Sequence, residues 1–418
     1  MKQVKFVLPV GLFLLSLILI TCDTKNNVEP TFKNYFIRYY GGDGNHEAKD
    51  FVLNSDGSIL ILAKERIGIN DRIYLVKVDA EGNQLWAKTL GSNSESPLDI
   101  EKVTGQDQFY ILSNFINSTG FTQIKVLKID SNGDKLDSVI FNNGGVTNLD
   151  FIGNSITSLT DGGVIVTGNT RDTTMLPADS DPARIPIDQS DIVSLRFNST
   201  LSIDPMWSKS FGGEPNVGGI KIIPDDDRFA FGGFSNADKP SPGINTFNIW
   251  LVRLLSNGDA SGLEVFVGRE DMNERLVDMA RSTTGFMAIG TQTNLVDDIS
   301  TSRVLAVSIS SSFPTVFDTD VLLNEPSEGV AIATTSSSDY LILANTIGTS
   351  GVRDIRLLKV NSVFQNFLDI SFGAPNNDDR GAAVAELPNG DILILGTMEL
   401  AGQQDKIALI KVRADGTF

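Results

Sequence analysis

Short apolar runs, rich in Ile, Val, Leu and Phe, recur along almost the whole chain, and turn residues separate them. One series aligns at once: residues 73–79 (IYLVKVD), 124–130 (IKVLKID), 192–198 (IVSLRFN), 249–255 (IWLVRLL), 304–310 (VLAVSIS), 355–361 (IRLLKVN) and 407–413 (IALIKVR). These are strand-length and aliphatic, and all but the fifth carry a cation near the end: Lys77, Lys128, Arg196, Arg253, Lys359 and Lys411, with Ser308 as the exception. A second apolar run precedes each, for example 59–63, 109–113 and 392–396, set off by turns such as Ser55-Asp56-Gly57 and Pro388-Asn389-Gly390. A fourth run follows an Asp/Asn-Gly turn and ends on an apolar residue before Gly or Asn. Those junctions are Tyr40-Gly41, Leu90-Gly91, Phe141-Asn142, Phe211-Gly212, Val267-Gly268, Leu323-Asn324 and Phe372-Gly373, spaced 49 to 70 residues apart. A less apolar run after each junction completes the block. Four strands in a block of about fifty residues predict radial β-blades rather than a helical solenoid.

The two ends of the chain predict closure. The last block stops at Asp415-Gly416-Thr417-Phe418 without a fourth strand, while residues 34–40 (NYFIRYY) carry the fourth-strand pattern. Phe36, Trp86 and Trp207 lie five residues before their junction glycines, and Arg38, Lys88 and Lys209 three before. The expectation is an all-β, seven-bladed β-propeller of four-stranded antiparallel blades, with the N-terminal strand completing the last blade. Closure removes the open sheet edges that template aggregation.

The junction Gly, the Asp/Asn-Gly turn, the strand ending Lys-hydrophobic-Asp and the Trp-x-Lys before the next Gly together resemble the repeat propellers of envelope lipoproteins in Bacteroidetes-like bacteria. The resemblance spans roughly residues 32–418. It implies the fold and an envelope setting but no particular activity, because propellers host unrelated functions. The third block, with its insertion, and the fifth, at Ser308, depart from the pattern.

The first 22 residues form a separate device. Lys2 and Lys5 precede an apolar run over residues 6–21, which ends at Cys22, the one cysteine in the chain. The run is short for a membrane span and suits a secretory signal. A cysteine placed directly after it resembles a bacterial lipobox, which implies lipidation at Cys22 and outer-membrane anchoring; the alternative is an uncleaved signal anchor in which Cys22 is incidental. Residues 23–32 read as a polar tether, and 33–418 as the propeller. The formal charge of −18 argues against a nucleic-acid partner, which needs a basic face.

Candidate chemistry is sparse. His46 is the one histidine, so Ser-His-Asp triads and His-based metal sites lack their residues; it reads as a solvated loop residue. No metal or other cofactor is expected, and the chain reads as a monomer. The junction loops carry Asp43, Glu47, Glu95, Glu214, Glu270, Asp271, Asp378 and Asp379. Two enlarged loops, 169–191 and 235–247, belong to adjacent blades, and the first contains Asp172, Asp179, Asp181 and Arg184. In a propeller these connections emerge on one face, which makes them the candidate binding face. Against that stand two plainer readings: an acidic protein has acidic loops, and the insertions are neutral. The expected function is a lipid-anchored envelope propeller that binds or scaffolds a glycan or protein ligand through this face. The alternative is a carbohydrate-active hydrolase or lyase with a carboxylate pair near the central channel.

Overall fold

The inner strand of each blade begins just after a junction, as the repeat requires: Asn45–Leu53, Glu95–Lys102, Leu149–Ser158, Val217–Asp225, Met272–Ser282, Ser327–Thr334 and Arg380–Glu386. The structure, a computed structural model, describes residues 34–418 except 142–148, 173–190, 212–216, 238–245, 284, 297, 314, 349–350, 375 and 401–403. The signal segment, Cys22, the tether, Asp179, Asp181, Arg184 and Glu214 lie outside the described residues. Within them the strands form seven four-stranded sheets, each antiparallel and in sequence order from inner to outer except the last. Each inner strand lies against the next, and the seventh against the first, so the ring is closed.

The seventh sheet runs Arg380–Glu386, Ile392–Leu400, Gln404–Val412 and then Phe36–Tyr40. Phe36 sits opposite Lys411 and Tyr40 opposite Ile407. The N-terminal strand therefore supplies the outer strand missing at the other end. The second strands are buried on both sides because each sheet is packed between two neighbours. That burial is why they read as unbroken aliphatic runs: Ile59, Leu60, Ile61, Leu62 and Ala63 are all buried.

Two features of the repeat stitch one blade to the next on the outer side. An aromatic residue in or just before an outer strand covers the turn glycine of the following blade: Phe36 covers Gly82, Trp86 covers Gly133 and Trp207 covers Gly258. Gly133 has φ +77°, and a Cβ there would lie 2.7 Å from the Trp86 ring, so both conformation and space demand glycine. The cation column acts similarly in part. The ammonium groups of Lys77, Lys128 and Lys411 donate to the carbonyls of Ser131, Ser199 and Ala80, in the turns of the next blade, at 3.4, 3.1 and 3.5 Å. Arg196, Arg253 and Lys359 instead pair with Asp161, Asp225 and Asp339.

Candidate functional site

Every inner strand carries a β-bulge at the same place. The register shifts between Ala48 and Asp50, Pro97 and Asp99, Gly153 and Ser155, Gly219 and Lys221, Leu276 and Asp278, Gly329 and Ala331, and Gly381 and Ala383. A bulge adds one residue to the strand and re-aims its side chains. The position after it reads Asp50, Asp99, Ser155, Lys221, Asp278, Ala331 and Ala383 round the ring. The three carboxylates among these residues join neighbouring blades. Ile100 N–H donates to Asp50 Oδ2 at 3.2 Å, Ile156 N–H to Asp99 Oδ2 at 2.9 Å, and Ile332 N–H to Asp278 Oδ2 at 3.0 Å.

The bulged strands enclose a central channel with a cavity of about 500 Å³. Its walls differ. Val330, Ala331, Ile332, Ala382, Ala383 and Val384 make an aliphatic sector from blades six and seven, while Asp50, Asp99, Glu101, Lys221 and Asp278 bring charge from blades one, two, four and five. Burial and the neighbouring Asp99 carboxylate push the Glu101 carboxyl up to about 7. Burial and Asp99 likewise raise Asp50 well above the ordinary carboxylate range. Burial raises Asp278 as well, despite Lys221 beside it and two N–H donors on its oxygens. For Lys221, burial favours the neutral amine, but Asp278, Asp99, Glu101 and Asp50 outweigh it and hold the side chain cationic. A carboxyl titrating near neutrality has the make-up of a proton donor or a hydroxyl-binding group.

At the junction-side end of the inner strands of blades six, seven and one lies a second cavity, of about 280 Å³. It is lined by Glu47, Ala48, Glu328, Asn345, Arg353, Arg380, Gly381 and Thr397. A chain of ion pairs supports it. Arg353 Nε reaches Glu328 at 3.0 Å and its Nη1 reaches Asp378 at 3.5 Å; Arg380 Nε reaches Asp378 at 3.4 Å and its Nη2 reaches Asp405 at 2.7 Å. Glu47 pairs with Lys49 and, at 2.5 Å, with Lys64. Burial alone would raise the Glu47 carboxyl, but the two ammonium groups pull it down to about 2. The backbone is fixed as firmly: Gly381 N–H donates to Asn345 Oδ1 at 2.8 Å and Ala48 N–H to Thr397 Oγ1 at 2.9 Å, each from one blade to the next.

Of the residues singled out in the sequence, Glu47 and Asp378 meet at this mouth. Glu95 and Asp379 turn inward instead. Glu95 is fully buried and accepts from Ser92 N–H at 3.1 Å, Ser113 Oγ at 2.8 Å and Lys125 Nζ at 2.6 Å. Asp379 accepts from Ala374 N–H at 2.8 Å and Glu399 N–H at 3.0 Å. Both hold junction loops in shape. Asp43, Glu270 and Asp271 are exposed, and Asp172 ends the strand Val164–Asp172. His46 requires a correction: it lies on the first inner strand rather than in a solvated loop, fully buried, with Nε2 3.6 Å from Glu65. Burial lowers its pKa, so it is neutral at pH 7. Asp50, Asp99, Glu101, Lys221, Asp278, Arg353 and Arg380 were not among the sequence candidates. Among the described residues no three His, Cys, Asp or Glu side chains are grouped to hold a metal ion.

The chain matches no protein-family model and no curated protein by sequence. Its fold is similar to those of several solved structures. An ulvan lyase described as a new family of polysaccharide lyase aligns with TM-score 0.60 and 10% identity over 91% of this chain and 97% of that one. The polysaccharide lyase Uly1 aligns with TM-score 0.54 and 9% identity over 90% and 92%. The α-L-arabinanase of Penicillium chrysogenum, complexed with arabinobiose, aligns with TM-score 0.51 and 10% identity over 77% and 94%. At such identities the likeness establishes the propeller fold alone.

Proposed function

We propose that this protein is a glycan-binding propeller whose contact site is the junction-side mouth of the channel, over blades six, seven and one. The observation that carries this reading is the chain of planar charged groups around the 280 Å³ cavity: Glu328, Arg353, Asp378, Arg380 and Asp405, with Glu47 beside them. Guanidinium and carboxylate groups bond sugar hydroxyls through their remaining N–H groups and lone pairs. Mutual pairing fixes their rotamers beforehand, which lowers the entropy lost when a ligand binds. The polysaccharide lyases and the arabinanase with similar folds are named for polysaccharide substrates, and this supports a saccharide ligand. The test is a glycan array probed with the full chain and with an Arg353→Ala, Arg380→Ala double variant. The wild type should bind a defined glycan set and the variant should lose about tenfold or more in affinity. Equal binding by both would reject the mouth as the site.

A second reading is favoured by one observation, the Glu101 carboxyl near 7 beside Asp99. A protonated acid next to a carboxylate is the pairing used in glycoside hydrolysis. Release of new reducing or unsaturated ends from a bound glycan, lost in Glu101→Gln, would establish turnover; binding without product would leave the protein a binder.

For attachment, we propose that Cys22 carries a lipid that holds the propeller to the bacterial envelope. Its place directly after a short apolar run supports this. Cys22→Ala should abolish incorporation of labelled fatty acid and release the protein from the membrane fraction. Absence of label from the wild type would reject the anchor.

A further inference from the structure

Below the mouth, the polar residue after the bulge gives way to alanine in one sector. Where blades one, two and five place Asp50, Asp99 and Asp278 after the bulge, blades six and seven place Ala331 and Ala383. Each aspartate takes a backbone N–H of the next blade; an alanine side chain accepts nothing. The substitution therefore gives up an inter-blade hydrogen bond and gains space. With Val330, Ile332, Ala382 and Val384 the two alanines form a smooth aliphatic wall.

The rest of the cavity lining mixes apolar residues such as Phe51, Leu98 and Ile220 with charged groups that have bonding capacity to spare. Glu101 and Lys221 line it, and among the described residues no protein group hydrogen-bonds the Glu101 carboxyl. The Lys221–Asp278 ion pair spans 3.8 Å, beyond hydrogen-bond length, so the ammonium donors remain available. The volume of about 500 Å³ lies within the roughly 300–1,000 Å³ typical of small-molecule sites. The channel and the mouth are adjacent along the same strands: Ala48 and Gly381 line the mouth, and Lys49 and Ala382 the channel.

We infer that the channel takes the terminal sugar unit of a glycan held at the mouth, an amino sugar in preference to a uronic acid. The C–H face of the ring lies on the Ala331–Ala383 wall, and its hydroxyl and ammonium groups face Glu101, Asp99 and Lys221. Sugar rings have one face of C–H groups and an edge of hydroxyls, which matches a cavity with one wholly aliphatic sector and charged groups confined to the rest of its lining. The preference follows from charge. Asp50, Asp99, Glu101 and Asp278 line the cavity with three ammonium groups, of which Lys49 and Lys102 are paired with Glu47 and Asp107 outside the lining and only Lys221 is paired within it; a uronate would therefore add like charge to these acids and an amine would complement their ionised forms. The protein would then recognise chain ends rather than chain interiors. This inference rests on the glycan reading of the mouth and specifies its ligand.

Calorimetric titration of the full chain with three soluble tetrasaccharides tests it: a glucosamine tetramer, a glucose tetramer and a galacturonate tetramer. The wild type should bind the first most tightly and the third most weakly. Ala383→Leu, which fills the aliphatic wall, should weaken the glucosamine tetramer by about tenfold or more. Glu101→Gln is nearly isosteric and leaves the cavity volume intact; it should narrow the difference between the glucosamine and glucose tetramers. That variant keeps the test decisive if Ala383→Leu unfolds, which a melting curve would reveal. Equal responses from the wild type and folded Ala383→Leu, including none from either, overturn the inference, as does tightest binding of the galacturonate. The mouth is scored separately. If the Arg353→Ala, Arg380→Ala variant alone loses binding, the channel assignment falls and the mouth stands. If Ala383→Leu alone loses it, the channel stands and the mouth falls.

Discussion

A bulge changes which residues of a strand face the channel, and this decided which side chains the sequence could reveal. Alternation with period two predicts one facing residue in every pair. At the bulge two consecutive residues, such as Lys49 and Asp50 or Leu98 and Asp99, both line the cavity. Parity then flips, and Asp50, Asp99, Glu101 and Asp278 were hidden among ordinary strand residues. The reverse error placed Glu95 and Asp379 on the rim, although both fold back onto their own junction loops. The turn glycines were legible because their reason is local. Gly133→Ala combines a positive φ with a ring 2.7 Å from the new Cβ. It should cost about 2 kcal/mol in urea unfolding, and Gly105→Ala, with no atom within 4 Å of its Cβ, should cost less. Glu101 gives a pH prediction. Its folded pKa, raised from 4.5 to about 7, means that the native state holds a proton the unfolded chain has lost. Its contribution to stability is full below pH 4.5 and declines as pH rises through 7. Glu101→Gln should therefore be less sensitive to pH between those values than the wild type, with a relative gain at pH 8. Parallel stability curves for the two proteins would contradict this.

At the scale of strands, most of the fold was legible, because the second and third strands are covered on both faces and so appear as unbroken apolar runs. Closure was legible too, through the outer-strand signature of residues 34–40. The outer strand of blade three was less so: it is confined to Lys209–Phe211, and Trp207 packs just before it. The closing strand gives the sharpest prediction at this scale. It contributes a five-residue ladder to Gln404–Val412, the Phe36 ring over Gly82, and a 2.7 Å hydrogen bond from the Tyr40 hydroxyl to the Gly82 carbonyl. Deleting residues 33–40 should lower the melting temperature by on the order of 10 °C, since several kcal/mol are removed at once. Tyr40→Phe, which removes only the hydroxyl, should cost about 1 kcal/mol. A truncated protein that melts like the wild type would show that the last blade does not depend on this strand.

At the scale of the whole molecule, seven similar blades give a ring whose symmetry is broken in its lining, and the break is where function is proposed. Repeats supply the scaffold; Ala331, Ala383, Arg353 and Arg380 are departures that no repeat pattern could announce. Amide hydrogen exchange of the full chain, with and without a glycan chosen from the array, tests the mouth as the contact site. Bound glycan should add protection at the junction-side ends of three inner strands, around residues 45–49, 327–330 and 379–382. The turns on the opposite side, such as 54–58 and 79–83, should be unchanged. Protection confined to those turns, or spread evenly round the ring, would contradict that site.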